Sequence, residues 1–334
     1  MYKTAYHESS LSEYAFLITG GAGFIGSNLV EYLLKHNAGK VRVFDNFSTG
    51  FKSNLDEFTT HPAFELLEGD ITDAHACRLA CEGITHISHQ AALGSVPRSI
   101  KDPMRTHQVN VTGFLNMLIA ARDAGIRRFV YASSSSVYGD SPALPKAEHQ
   151  IGWPLSPYAV TKAANEQYAR VFGKIYEMET IGLRYFNIFG PRQSPNGPYA
   201  AVIPLFMQAV KENTAPVIHG DGEQTRDFTF VENAVQANVL AMLVNNVLTY
   251  NEIFNVAVGE RISLNQLWNE LCTIGQKELS PLHVEARKGD VRDSLADLCK
   301  SRTILSYQSK ISLKEGLLKT YNWYSNATVQ EITG

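Results

Sequence analysis

Tyr158 and Lys162 stand four positions apart in "SPYAVTK". A helix there would place the phenol and the ammonium on one face. A free phenol titrates near about 10 and is a poor base at neutral pH, but a neighbouring cation favours the phenolate, which can take a proton from a hydroxyl group. Some 24 residues earlier, "YASSSSVYGD" carries Ser133, Ser134, Ser135 and Ser136 at the end of an apolar run. A serine hydroxyl held beside that phenol could fix the reacting oxygen. By itself the pair is equally one turn of a surface helix, so the elements that would bring these groups together decide the reading.

Those elements repeat in a regular order. "YAFLIT" reads as a short buried strand, "GGAGFIG" follows, "SNLVEYLLKHN" has helical periodicity, and "KVRVFD" reads as a second strand. Further strand candidates are "FELLEGD", "THISHQAA", "RRFVYASSS" and "TIGLRYFN", separated by helical segments such as "FLNMLIAARDAG". This alternation predicts an α/β fold, a doubly wound parallel sheet covered on both faces over residues 1–185. After "RYFNIFGPRQSPNGPYAAVIP" the texture turns to proline-rich turns, yet "DFTFVENAVQANVLAML" and "IFNVAVG" read as a helix and a strand returning to the first domain near 226–256. The expected second domain is smaller, α/β and discontinuous, over 186–225 and 257–326, with a loose tail beyond Asn326.

In "ITGGAGFIG", Gly21, Gly23 and Gly26 fit G-x-G-x-x-G, and Gly20, Gly23 and Gly26 fit G-x-x-G-x-x-G. Such glycines permit a tight turn and the approach of a pyrophosphate to a helix N-terminus. The confirming context is present, because the motif lies between a strand and a helix, with Asp45 closing the next strand 19 residues beyond Gly26. A carboxylate there accepts hydrogen bonds from both ribose hydroxyls of NAD and repels the extra phosphate of NADP; "DNFSTG" supplies no arginine. NAD is the expected cofactor, with Asp70 in "EGDIT" placed to read the adenine edge. A cationic nicotinamide would then join Lys162 in favouring the Tyr158 phenolate.

Bulk properties narrow the field. The chain has 334 residues, 44% hydrophobic and 19% charged, with a net charge of −3. That is long enough for about two domains and offers no basic stripe for nucleic acid. No segment has the apolar length of a signal peptide or membrane span, so a cytoplasmic protein without membrane partners is expected. The four cysteines form no Cys-x-x-Cys, Cys77 and Cys81 are expected to pack on one helix face, and the ten histidines form no ligand pattern, so no metal is expected.

From Tyr14 to Tyr324 the motifs together resemble the extended short-chain dehydrogenases/reductases that act on nucleotide sugars. "TGGAGFIG", "DN", "GDI", "HQAA", "SSSSVYGD", "SPYAVTK", "LRYFNIFGPRQ" and "GDGEQTRDFTFVEN" all fit that pattern. Within the family, "QAALGSVPRSI" and "PNGPYAAVIP" look most like bacterial UDP-N-acetylglucosamine 4-epimerases of polysaccharide pathways. The resemblance implies a Rossmann domain with Tyr158 as acid/base, Lys162 lowering its pKa and binding the nicotinamide ribose, and Ser134 holding the sugar oxygen with help from Ser135. It places Gly20, Gly23, Phe24, Ile25, Gly26, Asp45, Asn46, Asp70, Ile71, Gln90, Ala91, Ala92, Asn110 and Tyr185 around NAD, together with Tyr158 and Lys162. Asn187, Arg226 and Arg287 match positions that hold the UDP diphosphate, and Ser95, Gln193, Ala201 and Val202 match substrate contacts. Homodimers are common in the family, and the helices at "FLNMLIAARDAG" and around Lys162 could supply the apolar surface.

The resemblance implies oxidation at sugar carbon 4, rotation of the transient 4-keto sugar about its phosphate linkage, and reduction from the opposite face. Relatives that dehydrate or decarboxylate the sugar carry carboxylates near the serine strand end, whereas "SSSSVY" has none before Asp140. In "RKGDVRDSLAD", Ser294 aligns with the residue facing the N-acetyl group, and a serine leaves room that a tyrosine would fill. A UDP-GlcNAc/UDP-GalNAc 4-epimerase is therefore expected. The alternatives are UDP-Glc/UDP-Gal, a uronate greeted by Arg192 or Arg98, a net nucleotide-sugar reductase, or a non-catalytic dinucleotide sensor.

Overall fold

The computed structural model describes residues 1–196, 200–286 and 292–326. Seven parallel strands form one sheet: β1 (Ala15–Thr19), β2 (Lys40–Asp45), β3 (Phe64–Glu68), β4 (His86–His89), β5 (Arg128–Ser134), β6 (Glu179–Tyr185) and β7 (Glu252–Val256). Their order across the sheet is β3-β2-β1-β4-β5-β6-β7, so the winding reverses between β1 and β4. Interior strands such as "AFLIT" and "RFVYASS" read as nearly unbroken apolar runs because both faces are covered. The outer strand β3 is only half-buried.

One face carries α1 (Phe24–Lys35); the other carries α2 (Ala74–Cys81), α3 (Val96–Lys101), α4 (Pro103–His107), α5 (Phe114–Asp123) and α6 (Pro157–Tyr176). Asp73 caps α2 by accepting from His75 N and Ala76 N, and Cys77 and Cys81 are both buried in its core-facing side. Ser156 caps α6 with Pro157 as its first residue, which suits a ring lacking an N–H to lose. Between α4 and α5 the chain widens into a π turn, Gln108–Gly113, which the periodicity of the sequence did not signal.

The remaining chain contributes α7 (Val202–Glu212), α8 (Val231–Leu243), α9 (Leu264–Gly275), α10 (Cys299–Thr303) and α11 (Leu313–Asn326). Helix α8 packs on α1 and against β4, β5 and β6, and β7 pairs with β6, so this stretch belongs to the main sheet. Helices α7, α9 and α11 enclose a separate core that includes Phe189, Phe206, Trp268, Leu271 and Leu317. Two-stranded pairs join 188–189 to 229–230, 225–226 to 262–263, and 217–219 to 282–284. Residues beyond Asn326 lie outside the described residues, as do Arg287 and part of "RKGDVRDSLAD". Among the described residues no helix is long and apolar enough to cross a membrane, and no cluster of three side chains could hold a metal ion.

Candidate active site

The reversal between β1 and β4 opens a cleft at the carboxyl ends of the strands, where open α/β sheets bind ligands. Its volume is ≈ 350 Å³. Its first wall is the glycine loop. Gly20 has φ +67°, and a Cβ there would come within 2.7 Å of Ala91 N. A Cβ on Gly26 would meet Gly20 O at 2.2 Å. The loop therefore closes on itself as α1 begins, and only glycine allows that approach. Asp45, at the end of β2, accepts from Ala22 N at 2.9 Å and Phe47 N at 2.8 Å, which ties the loop to the next strand. Burial raises its pKa, these backbone donors oppose the rise, and each carboxylate oxygen still has a lone pair for a ribose hydroxyl.

Of the residues expected around the cofactor, Gly20, Gly23, Phe24, Ile25, Gly26, Asp45, Asn46, Asp70, Ile71, Gln90, Ala91, Ala92, Tyr158, Lys162 and Tyr185 line this cleft. Asn46 donates to Asp70 at 2.8 Å, and Tyr185 donates to Gln90 at 3.1 Å while accepting from Asn238 on α8 at 2.7 Å. Asn110 is the exception. It is buried behind the wall, accepting from Leu93 N at 2.8 Å and donating to Thr161 at 3.2 Å. The π turn directs its side chain to brace the loop at Leu93 instead of entering the cleft. Ser48, Thr49 and Gly50 also line the cleft without having been singled out. Their signal was position, since they continue directly from Asp45 and Asn46, and Phe51 N donates to Ala22 O at 3.1 Å.

At the other wall α6 crosses the end of β5. The Ser134 hydroxyl lies beside the Tyr158 phenol, close enough to lower its pKa, and it caps the following turn by accepting from Ser136 N at 3.1 Å. Lys162 is 3% exposed; its ammonium donates to Ala132 O at 2.7 Å and lies 5.9 Å from the centre of the Tyr158 ring. The electrostatics differ from the simple sequence picture. Burial pushes the Tyr158 phenol above its ordinary value and the neighbouring Ser134 hydroxyl draws it back, while Lys162 is engaged with the strand carbonyl. Burial also lowers Lys162 to about 8, against the pull of Glu166. Ser135 opens the short turn after β5.

The expected sugar-side residues are placed by longer-range links. Ser95 caps α3 with φ 121°, an uncommon backbone for a side-chain-bearing residue. Asn187, with φ 38°, donates to Asp227 O at 3.0 Å. Arg226 donates to the Thr225 carbonyl at 2.9 Å, and Ser294 N donates to Thr225 O at 3.1 Å, so Ser294 is tied to the short strand that carries Arg226. Asp227 itself is buried and accepts from Val258 N, Gly259 N and Ala296 N. Gln193 donates to Ile188 O at 3.2 Å, and its side-chain oxygen is buried with no hydrogen-bond partner among the described residues. Ala201 and Val202 start α7. Arg192, considered for a substrate carboxylate, is instead held by Glu31 at 2.8 Å and by Glu57, beside α1.

The profile of the NAD dependent epimerase/dehydratase family matches residues 16–257. The chain belongs to that family. A UDP-glucose 4-epimerase of Mycolicibacterium smegmatis is 37% identical over 313 residues, 93% of this chain and 98% of that protein. The UDP-N-acetylglucosamine 4-epimerase of Methanobrevibacter ruminantium, solved with UDP-N-acetylmuramic acid, superposes with a TM-score of 0.88 at 36% identity, covering 93% of this chain and 98% of that one. The UDP-glucose 4-epimerase of Thermotoga maritima, solved with UDP-glucose, gives 0.87 at 34%, with the same coverage. NAD is thus the cofactor of this family enzyme, and the glycine cradle and free lone pairs of Asp45 fit it.

Proposed function

We propose that this enzyme interconverts UDP-GlcNAc and UDP-GalNAc by inverting sugar carbon 4. The observation that carries the reading is the placement of the Tyr158 phenol and the buried Lys162 ammonium on the wall of a nucleotide cleft, with the Ser134 hydroxyl beside the phenol. Bound NAD would supply hydride acceptance and return. Tyr158 removes the proton from the C4 hydroxyl and later restores it, and Ser134 holds the same oxygen by a hydrogen bond. Lys162 offers the phenolate a cation across the ring and the ribose a donor. Asp45 orients the adenosine ribose, and the amides at the start of α1 take the pyrophosphate. Residues 133–138 contain no carboxylate, so elimination or decarboxylation lacks a general acid on this strand end.

For the sugar, the support is the small side chain of Ser294 on a segment pinned to Thr225, together with a solved relative that is named a UDP-N-acetylglucosamine 4-epimerase. The ion pairs of Arg192 with Glu31 and Glu57 weigh against a uronate through that residue. A second reading, the non-acetylated UDP-Glc/UDP-Gal pair, is favoured by the relatives bearing that name. Proton NMR of the anomeric signals decides, with UDP-GlcNAc, UDP-Glc and UDP-GlcNAc uronate supplied in turn and no NAD added. Fastest interconversion of the acetylated pair at constant cofactor redox state is expected; inertness with all three would sink the epimerase reading.

A homodimer is part of the same proposal. Val160, Tyr168, Val171 and Ile175 form an exposed stripe along α6, with Ile100 on α3 and Met104 on α4 beside it. Large exposed apolar side chains are absent from α5 among the described residues, so the pairing is assigned to α6. Sedimentation equilibrium is expected to give twice the chain mass.

A further inference from the structure

The proposed chemistry leaves one buried charge of α6 without a role. Tyr158, Lys162 and Glu166 follow at four-residue intervals along one face of the helix. Glu166 is 5% exposed, and its carboxylate points into the sheet. One oxygen accepts from the Ser133 hydroxyl at 2.5 Å and from Arg184 Nε at 2.9 Å; the other accepts from Arg184 Nη2 at 2.8 Å. Ser133 and Arg184 are register partners on β5 and β6, so one carboxylate grips two adjacent strands. Arg184 is fixed in turn, donating to Glu148 O at 2.9 Å and lying 4.7 Å from the centre of the Tyr138 ring.

Two consecutive residues of β5 therefore hold successive turns of α6. Ala132 accepts from Lys162 and Ser133 donates to Glu166, with Ser134 next in line beside Tyr158. A buried ion pair of this kind contributes little net stability, since desolvation offsets the attraction. Its consequence lies in what it faces. The ionisable groups around Lys162 are Tyr158 and Glu166 on α6, His89 on β4, Tyr131 on β5, and Arg184 and Tyr185 on β6. His89 is held neutral by burial, and the three phenols are neutral, so Glu166 is the anion of the group.

We propose that Glu166 is a positioning residue for Lys162, clamped by Ser133 and Arg184 so that it locks α6 to the strand end and keeps the Lys162 side chain an ammonium. The inference rests on the function proposed above for Lys162, but its test does not require turnover. In protein labelled with 15N at the lysine side chains, with Lys162 identified by its loss in Lys162→Met, the wild-type signal should titrate near 8. Glu166→Gln should lower that midpoint by at least about one pH unit, Glu166→Asp should restore part of it, and the alkaline limb of the rate profile should move in parallel. Should the single variant fail to fold around an unpaired Arg184, Glu166→Leu/Arg184→Met removes both charges, and a lowered midpoint is again expected because the carboxylate is what holds the proton on. An unchanged midpoint in the folded variants overturns the proposal even if the wild type epimerises UDP-hexoses. A lowered midpoint in a protein that turns over no UDP-hexose upholds the clamp and sinks only the proposed function.

Discussion

The cofactor wall of the cleft is assembled from the ends of neighbouring strands, whereas the sugar-side residues depend on cross-links between distant segments. Asp45 ends, and Gly20, Asp70 and Gln90 follow, parallel strands of one sheet, so forming the sheet delivers them to one edge. Ser294, by contrast, is positioned through Thr225, and its neighbour Ala296 through Asp227, which also binds Val258 and Gly259. Lys146 N donates to Leu295 O at 2.7 Å, and Asn255 donates to Asp297 O at 2.9 Å, stitching the same segment to two further places. A regular sheet makes the cofactor wall insensitive to loop detail.

Tyr158→Phe should separate the two walls most sharply. Removing the phenolic proton carrier costs on the order of 10²- to 10⁴-fold in rate. Because the glycine loop and Asp45 are untouched, NAD should remain bound. Measured kcat together with the cofactor content of the purified protein checks this, and full activity in the phenylalanine variant would remove Tyr158 from the chemistry. Gly26→Ala strikes the opposite wall. Its added Cβ would stand 2.2 Å from Gly20 O, and the loop must open to accept it. Overpacking of roughly 1–3 kcal/mol, if borne by the bound state, weakens NAD by about 5- to 150-fold. Calorimetric titration with NAD reads it, and unaltered affinity would show that the loop yields without harm.

This asymmetry also explains what could be read from the sequence. The strands, the glycine loop and Asp45 were legible because their evidence is local, a period of two or of 3.6 residues or a fixed spacing after a strand. The placement of Tyr158 and Lys162 in the cleft was legible only through "SSSSVY" and the wider family resemblance, since the spacing alone fits any amphipathic helix. Asn110, expected beside the cofactor, accepts from Leu93 N from within a π turn that leaves no mark in the periodicity. Arg192 looked free to meet an anion, and nothing in "GPRQ" announces Glu31 and Glu57 from other elements as its partners. Glu166 reads as an ordinary helix-surface glutamate until β6 supplies Arg184. In each case the deciding contact joins two different elements and leaves no local pattern in the sequence.

Ser294→Tyr tests the sugar side of the comparison. A ring at this position should crowd an acetamido group and leave the smaller hydroxyl substrates less affected. Turnover of the acetylated pair should fall at least about tenfold relative to UDP-Glc, with NAD content unchanged. Competition kinetics on a mixture of both sugars measure the ratio directly. Equal loss for both would place Ser294 outside the selectivity filter and leave only the coarser reading of a UDP-hexose epimerase.

The smallest effect is expected where activity and stability oppose each other, at Lys162. Burial holds its pKa near 8 in the folded chain, below the 10.5 of an unburied lysine. Between those values the unfolded chain carries a proton that the folded chain lacks, so this group makes stability rise with pH through the window. Below about 8 both states carry the proton, and the folded protein bears the full cost of a buried ammonium. Lys162→Met keeps the apolar stem and removes the charge, at the loss of one hydrogen bond to Ala132 O, about 1 kcal/mol. Inactive but more stable protein is therefore expected at pH 7, by roughly 1–2 kcal/mol, with the advantage shrinking toward pH 10 as the wild-type lysine becomes neutral. Urea unfolding at the two pH values checks both parts. A gain that persists undiminished at the higher pH would mean that packing, and not the ammonium, is what the wild-type residue sacrifices.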